Sequence, residues 1–219
     1  TSTVVAAEVV AVDVADLTLA GRIGLPNGST SVRGICVSPD GNYAYVVHTL
    51  AHFQLPTTQV DRGWMNASAL SIVEIPGLRR LATVLLDDVD RGAANPWDVV
   101  CANEGRWLCV SHSGTHEVSI IDRPALHRKF DRVAAGSEDV SSDLSFLIDL
   151  RRRVRLPGKG PRGVVTAEHM LYVAEYFSDS VAVVDLGADT KGPAVSIALG
   201  PTADMTDAQR GDMLFHDAD

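Results

Sequence analysis

The sequence predicts an all-β protein: a partial β-propeller with about three four-stranded antiparallel blades. A recurring hairpin pattern, apolar segments of strand length and turn residues between them support this prediction. The 219 residues are 46% hydrophobic but only 5% aromatic, with 18 Gly and 10 Pro, which favours many short strands over a helical bundle. A β-sandwich also contains short alternating strands, but its strands have no reason to repeat in register.

Each repeat begins with a hairpin made of an apolar strand, a polar turn and a second strand. Residues 32–48 align without a gap on residues 96–112, and residues 161–175 follow the same pattern with one residue fewer at the turn. A third apolar strand that ends in an acidic residue follows each hairpin, and a fourth strand follows that acidic residue. The third strands are residues 70–74, 118–122 and 181–185, and the fourth strands are residues 81–85, 153–156 and 194–199.

The start of the chain lacks a hairpin. Residues 9–13 copy the strand that ends in an acidic residue, and residues 17–23 copy the strand after it. We expect the chain to begin inside a blade, with residues 3–14 supplying the fourth strand of a preceding blade. Since the first residue is Thr1 rather than Met, we also expect a trimmed chain. Residues 1–201 are assigned to the blades and residues 202–219 to a C-terminal helix or linker towards a missing domain.

The hairpins and third strands resemble the YVTN repeat family, and the resemblance covers most of residues 9–201. It rests on Ser38-Pro39-Asp40-Gly41, Tyr45-Val46-Val47-His48, Tyr172-Val173-Ala174-Glu175, Val118-Ser119-Ile120-Ile121-Asp122 and Val181-Ala182-Val183-Val184-Asp185. The resemblance implies a β-propeller. It implies little about function, because the family includes redox enzymes, lactonase-like proteins, surface proteins and binding scaffolds.

Two segments depart from the repeat and are predicted to be helical. Residues 124–133 begin with Pro at a favourable first-turn position and carry apolar residues at helical spacing. The acidic, Ser-rich residues 137–143 that follow are expected to form a surface loop. Near the end of the chain, Thr206 is a good N-cap for an amphipathic helix over residues 207–215.

The C-terminal segment also resembles a second family. Residues 205–215 are similar to the opening helix of c-type cytochrome domains of the di-haem peroxidase and MauG kind, in which a haem-binding Cys-x-x-Cys-His follows. This chain contains no such motif. No cofactor is therefore expected in this chain, and haem c is assigned only to a longer parent protein.

Charge and cysteine content exclude several classes of function. The formal charge of −9 argues against a nucleic acid or an anionic membrane as the main partner, and no apolar run is long enough to span a membrane. The three cysteines have no Cys-x-x-Cys spacing, which indicates neither a disulfide framework nor a zinc site. Hairpin pairing sets Cys101 opposite Leu108 and Cys109 opposite Val100, on opposite faces of the sheet. We expect these two and Cys36 to be buried free thiols.

Two charged clusters have competing interpretations. One lies within twelve residues and contains Arg151, Arg152, Arg153, Arg155, Lys159 and Arg162. It is either a site for an anion or acidic partner, or a set of alternate solvent-facing positions on an outer strand, balanced by the acidic loop before it. The second interpretation is favoured because no aromatic residues are interleaved for base stacking. Asp87, Asp88 and Asp90 lack the Gly and the distal Glu of an EF-hand loop, so a solvated loop is expected.

Equivalent residues of successive blades should form rings on one face of a propeller. The predicted ligand or partner face contains one ring of Arg33, Trp97 and Arg162 and a second ring of His48, His112 and Glu175. The first repeat also carries an insertion near residues 49–64, which adds His52, Asp61, Arg62 and Trp64 to this face. Two histidines and a carboxylate suit a transition metal or acid–base chemistry. Neighbouring blades, however, hold equivalent positions too far apart for one ion unless the side chains point at the axis. We therefore predict no metal site and no catalytic residue.

These features favour a non-catalytic bacterial scaffold, periplasmic or secreted. It would bind a partner protein, a ligand or a following redox domain through that face. The alternative is part of a periplasmic redox enzyme, similar to cytochrome c peroxidase, whose haem domain is absent here. An open arc of blades exposes strand edges and apolar inter-blade faces, which predicts self-association, most simply as a two-fold homodimer. Alternatively, the insertion over residues 123–150 and the C-terminal helix cover those surfaces.

Overall fold

The computed structural model describes residues 7–52, 65–134, 140–187, 192–201 and 204–218. The strands form three antiparallel sheets of at least four strands each and a two-stranded sheet at the start of the chain. Strands that follow one another in the sequence are mostly neighbours in a sheet. This meander is the arrangement of a propeller blade, and it confirms the predicted all-β propeller fold.

The two-stranded sheet pairs β1 (Glu8–Val12) with β2 (Leu19–Gly24). In the complete blades a third strand pairs with the fourth strand that follows it, and β1 and β2 reproduce that pair. β1 therefore takes the place of a third strand. The expectation that residues 3–14 supply a fourth strand was wrong, because β2 occupies that position.

The three blades contain the predicted hairpins in the predicted order. The first blade contains β3 (Ser29–Thr30), β4 (Ile35–Val37), β5 (Tyr43–Ala51), β6 (Asn66–Glu74) and β7 (Arg79–Leu85). The second blade contains β8 (Pro96–Ala102), β9 (Trp107–His112), β10 (Glu117–Asp122) and β11 (Arg151–Arg155). The third blade contains β12 (Pro161–Ala167), β13 (Met170–Glu175), β14 (Ser180–Asp185) and β15 (Val195–Ala198). In the first blade both β3 and β4 pair with β5.

The hydrophobic core lies between blades. One cluster joins the first two blades and includes Tyr45 and Leu108, both fully buried. A second cluster joins the second and third blades and includes Ile120 and Leu171. The middle strands of the second blade are buried on both faces because a neighbouring sheet covers each side. Stacking of sheets face to face thus stabilises the blades through apolar burial.

Both predicted helices are present. α1 (Arg123–Ala134) begins after Asp122, whose Oδ1 accepts a hydrogen bond from the Ala125 amide at 2.9 Å. α2 (Asp207–His216) has a capping box, since the Thr206 hydroxyl accepts from the Gln209 amide at 3.2 Å and the Gln209 side chain accepts from the Thr206 amide at 2.9 Å. Neither helix, in the part of the chain that is described, is long and apolar enough to cross a membrane.

The segment after α1 is less exposed than the sequence indicates. Residues 137–139 lie outside the described residues, but Val140–Ser142 form a 3-10 turn in which Val140 is buried. Phe146 and Leu147 are buried in the same core as the first two blades. The expectation of a surface loop was therefore wrong for Val140, because this part of the insertion packs beside β7.

The arginine-rich strand β11 is also more buried than either interpretation of its charges suggested. The side chains of Arg151 and Arg153 are only 3% and 10% exposed. Arg151 forms an ion pair with Asp88, and Arg153 forms ion pairs with Asp88, at 2.7 Å, and with Glu117. These arginines therefore connect β11 to the loop after β7 rather than facing solvent.

The aspartate cluster lies in the loop after β7 that these arginines contact, and we call this contact between the first two blades the junction. Asp87 is buried and accepts hydrogen bonds from the Ser68 and Ala93 amides, each at 2.6 Å. The expectation of a solvated loop was wrong for Asp87, because its carboxylate fixes the backbone between the first and second blades.

The cysteine prediction is correct in pairing but only partly correct in burial. β8 and β9 pair Cys101 with Leu108 and Val100 with Cys109, as the hairpin predicted. Cys109 is buried, whereas Cys36 and Cys101 are half-buried. These two occupy the first strands of neighbouring blades, where the packing leaves part of each residue exposed.

Candidate partner-binding face

Strand register brings the six residues of the two predicted rings to one end of the three blades. Pro96 pairs with His112 and Pro161 pairs with Glu175, so each first strand starts beside the end of its second strand. In the first blade the Arg33 amide donates to the Val47 carbonyl at 3.2 Å. We call this end of the molecule the funnel face.

The first ring of predicted residues is assembled into a stack on the funnel face. The Arg33 guanidinium carbon lies 3.7 Å from the Trp97 ring centroid, and that of Arg162 lies 4.3 Å from the same centroid. Arg162 also lies 3.4 Å from the ring centroid of Tyr176. We call Arg33, Trp97, Arg162 and Tyr176 the cation–aromatic stack. Such contacts fix the planar guanidinium groups against the electron-rich ring faces.

The stack concentrates positive charge at a partly exposed surface. Arg33 is exposed, Trp97 and Arg162 are half-buried, and Tyr176 is 49% exposed. Burial and the neighbouring Arg162 guanidinium lower the pKa of Arg33. Two guanidinium groups stacked against one indole attract a carboxylate, and the chain itself supplies one, since Asp212 lies 3.6 Å from Arg162.

The histidines of the second ring point into their own blades. His48 Nε2 lies 2.9 Å from the Ser71 hydroxyl, which in turn lies 2.7 Å from the Thr83 hydroxyl. His112 Nε2 lies 2.8 Å from the Ser119 hydroxyl. Burial lowers the pKa of His48 to about 4 and that of His112 to about 3, so both imidazoles are neutral at neutral pH.

Glu175 occupies the equivalent position in the third blade and is also buried. Its carboxylate accepts hydrogen bonds from the Gly158 amide at 2.7 Å and from the Ser180 and Ser196 hydroxyls, each at 2.6 Å. A Cβ atom at position 158 would lie 2.4 Å from the Glu175 carboxyl carbon, so only glycine fits there. The second ring thus joins strands within each blade, and no group of three metal-ligating side chains occurs among the described residues.

Of the four insertion residues of the first repeat that were predicted for this face, one lies within the described residues. His52 is half-buried, its amide donates to the Met65 carbonyl at 2.8 Å, and burial lowers its pKa. Asp61, Arg62 and Trp64 lie outside the described residues.

Helix α2 lies against the funnel face through polar contacts. Asp217 lies 3.3 Å from His116 Nε2 and 3.7 Å from Lys159 Nζ, and the Ala218 amide donates to the Gly114 carbonyl at 2.9 Å. Gly114 permits this approach, because an added Cβ would lie 2.8 Å from the His216 carbonyl oxygen.

Sequence reasoning missed Tyr176, His116, Asp212 in α2 and Asp217 directly after it as members of this face. A signal for Tyr176 was its place directly after Glu175, at the end of a second strand. The contacts of Asp212 and Asp217 had no sequence signal, since they depend on where α2 lies.

Comparisons with known proteins agree with the propeller fold. No known protein-family model matches the sequence. The chain is 26% identical over 168 residues to hydrazine synthase subunit beta from Kuenenia stuttgartiensis, an alignment that covers 74% of this chain and 42% of that protein. The solved structure of Kuenenia stuttgartiensis hydrazine synthase matches with a TM-score of 0.72 at 25% identity, over 84% of this chain and 53% of that chain.

More distant structures share the fold alone. Virginiamycin B lyase from Staphylococcus aureus matches with a TM-score of 0.52 at 12% identity, over 89% of this chain and 49% of that one. The periplasmic gluconolactonase of Pseudomonas aeruginosa matches with a TM-score of 0.51 at 16% identity, over 85% of this chain and 47% of that one. The chain thus spans about half the length of the proteins it matches.

Proposed function

We propose that this chain is a propeller subunit, or part of one, that binds a partner protein through the funnel face in a periplasmic protein complex. The cation–aromatic stack carries the proposal. Arg, Trp and Tyr are the residues that most often dominate the binding energy of protein interfaces. Here they already stack on one another, so less side-chain entropy is lost when a partner binds.

The chemistry of the stack defines the partner surface. Two guanidinium groups favour a partner that presents carboxylates, and the indole and phenol rings favour apolar or planar groups beside them. The ion pair between Arg162 and Asp212 is an internal example of such a contact. Similarity to a subunit of hydrazine synthase supports assembly with other proteins.

A second candidate is part of a redox enzyme, as the similarity of residues 205–215 to di-haem cytochrome domains suggests. The observation that favours it is the position of α2, which lies against the funnel face. The residues of this chain do not fit covalent haem, because none of the three cysteines belongs to a Cys-x-x-Cys-His motif. The haem would belong to a longer parent protein that contains this chain.

Site-specific photo-crosslinking in the native host tests the proposal. A photoreactive amino acid replaces Arg33 in the funnel face, and a matched variant carries it at Arg106. Arg106 is also exposed and also lies over a tryptophan, with 4.8 Å to the Trp107 ring centroid, but it follows the turn between the first two strands of the second blade, at the opposite end.

The two positions should give different products. We expect position 33 to yield one discrete adduct with a second protein and position 106 to yield none. An adduct from position 33 to a haem-bearing segment of the same polypeptide would favour the redox candidate instead. Equal labelling from both positions would contradict the proposed face.

A further inference from the structure

Two thiols meet between the first and second blades. Cys36 in β4 and Cys101 in β8 are 65 positions apart in the chain, yet their Sγ atoms are 3.8 Å apart. Both residues are half-buried, unlike the fully buried Cys109. Hairpin pairing relates only neighbours within one blade, so it contains no information on this contact between blades.

The strands that carry the thiols are held close together. At Gly34, two residues before Cys36, an added Cβ would lie 2.6 Å from the Asp98 Cα, so the backbones of β4 and β8 are in direct contact. Asp98 is fixed in turn, since its carboxylate accepts hydrogen bonds from the Val99 amide at 2.8 Å and the Val164 amide at 3.0 Å. A disulfide requires an S–S distance of about 2 Å, so the two side chains need to close a gap of roughly 2 Å.

The environment makes the two thiols unequal. The two thiols share a hydrogen bond in which either sulfur can donate, and this bond lowers the pKa of Cys101. The positive charge of Arg123 lowers it further, against the opposing effect of burial. The same hydrogen bond, together with burial, raises the pKa of Cys36. Burial raises the pKa of Cys109 to about 12, which makes that thiol unreactive. Since the thiolate is the nucleophile in disulfide exchange, Cys101 is the reactive member of the pair.

We propose that Cys36 and Cys101 form a redox-active disulfide that joins the first and second blades. The oxidant is a disulfide, either of a thiol–disulfide oxidoreductase or of a small thiol such as glutathione. The Cys101 thiolate attacks one sulfur of the oxidant, forms a mixed disulfide and releases one thiol. Cys36 then gives up its proton, attacks Cys101 Sγ and releases the second thiol. The two protein thiols lose two electrons in total, and the oxidant disulfide gains them.

Peptide mapping of the wild-type chain tests the proposal directly. Trypsin places the three cysteines in separate peptides: residues 34–62, 92–106 and 107–128. The reduced protein is incubated with oxidised glutathione, unfolded, treated with iodoacetamide and digested without reductant. We expect peptide 34–62 linked to peptide 92–106 in monomeric protein, peptide 107–128 alkylated, and complete loss of the link after dithiothreitol.

Single substitutions test the assigned roles. Cys36→Ser should accumulate a glutathione mixed disulfide on Cys101, whereas Cys101→Ser should gain much less on Cys36. Cys109→Ser should form the link as wild type does and serves as the matched control. Circular dichroism confirms that each variant is folded, and alanine at the same position replaces serine in any variant that is not.

Three results would overturn the proposal. One is wild-type protein in which peptides 34–62 and 92–106 both remain alkylated after oxidation. The second is a link that appears only between chains on a non-reducing gel. The third is wild-type protein that stops at the glutathione adduct.

Discussion

The buried histidines at the ends of the second strands make stability depend on pH. The pKa of His48 is about 4 and that of His112 is about 3, because burial disfavours the charged imidazole. In the unfolded chain each histidine titrates near its ordinary value of about 6.5. As the pH falls below that value, the unfolded state binds protons first. The free energy of unfolding therefore decreases from about pH 6.5 down to about pH 4.

His112→Asn should weaken this dependence. Asparagine offers a hydrogen-bonding group towards Ser119 but does not titrate. Between about pH 6.5 and pH 4 the free energy of unfolding should decrease in both proteins, and the decrease should be smaller in the variant by on the order of 3 kcal/mol. Urea unfolding at several pH values measures the difference. The control is His169→Asn, on an exposed turn, which should retain the wild-type slope. Parallel curves for wild type and His112→Asn would contradict the prediction.

Sequence repetition located this residue pair but not its role. His48 and His112 occupy equivalent positions in the aligned hairpins, so their common place at a strand end followed from the sequence. Their direction depends on hydroxyl partners such as Ser71, which lies on β6, and Ser119, which lies on β10. A strand-end histidine can face the funnel or the sheet, and the packed blade determines which.

At the scale of elements, buried ion pairs connect the fourth strand of the second blade to the loop after the fourth strand of the first. Glu117 in β10 accepts hydrogen bonds from Arg153 and, at 2.7 Å, from the Thr115 hydroxyl, and its side chain is 1% exposed. Arg153 also pairs with Asp88 in the neighbouring loop. Breaking a buried ion pair is costly because it leaves an uncompensated charge away from water.

Glu117→Gln should therefore lower the free energy of unfolding by about 3 kcal/mol. The amide retains the shape of the side chain but removes the charge beside Arg153. Equilibrium urea unfolding at neutral pH measures the loss, with Glu168→Gln on an exposed turn as a control that should change stability by about 0.5 kcal/mol or less. Equal losses in the two variants would mean that the junction does not stabilise the fold.

At the scale of the whole molecule, both ends of the blade arc expose apolar side chains. Ile35 and Val37, beside the two-stranded sheet, are 52% and 54% exposed, and Val165 and Ile197 in the third blade are 61% and 55% exposed. Within the described residues, neither α2, which buries none of its side chains, nor the insertion, which packs between the first two blades, covers them. The 219-residue chain therefore presents two surfaces that favour association.

We expect this chain to self-associate at micromolar concentration. Sedimentation velocity at increasing concentration should show a shift from monomer towards dimer. Val165→Asp should raise the dissociation constant by roughly tenfold or more, since a charge would have to be desolvated at the interface. Val89→Asp, at a loop position that is 67% exposed, should leave association unchanged. A wild-type chain that remains monomeric with one cooperative unfolding transition would contradict the prediction.

The sequence by itself determined the local units and their order. Hairpins, third strands and both helices were predictable because strand alternation, turn residues and helix caps act over a few neighbouring residues. Repetition then added non-local information. Equivalent positions in successive blades lie at the same end of the molecule, so the proximity of Arg33, Trp97 and Arg162 followed from the alignment of the repeats.

Only the tertiary structure decided what lies between blades. The burial of Arg153, the packing of Phe146 and the approach of Cys36 to Cys101 each join residues from different repeats or from an insertion that no repeat explains. The position of α2 on the funnel face likewise depends on contacts with residues that are distant in the sequence. Such contacts depend on the angle and distance between packed sheets, which are set by the sum of many weak side-chain contacts rather than by any local pattern.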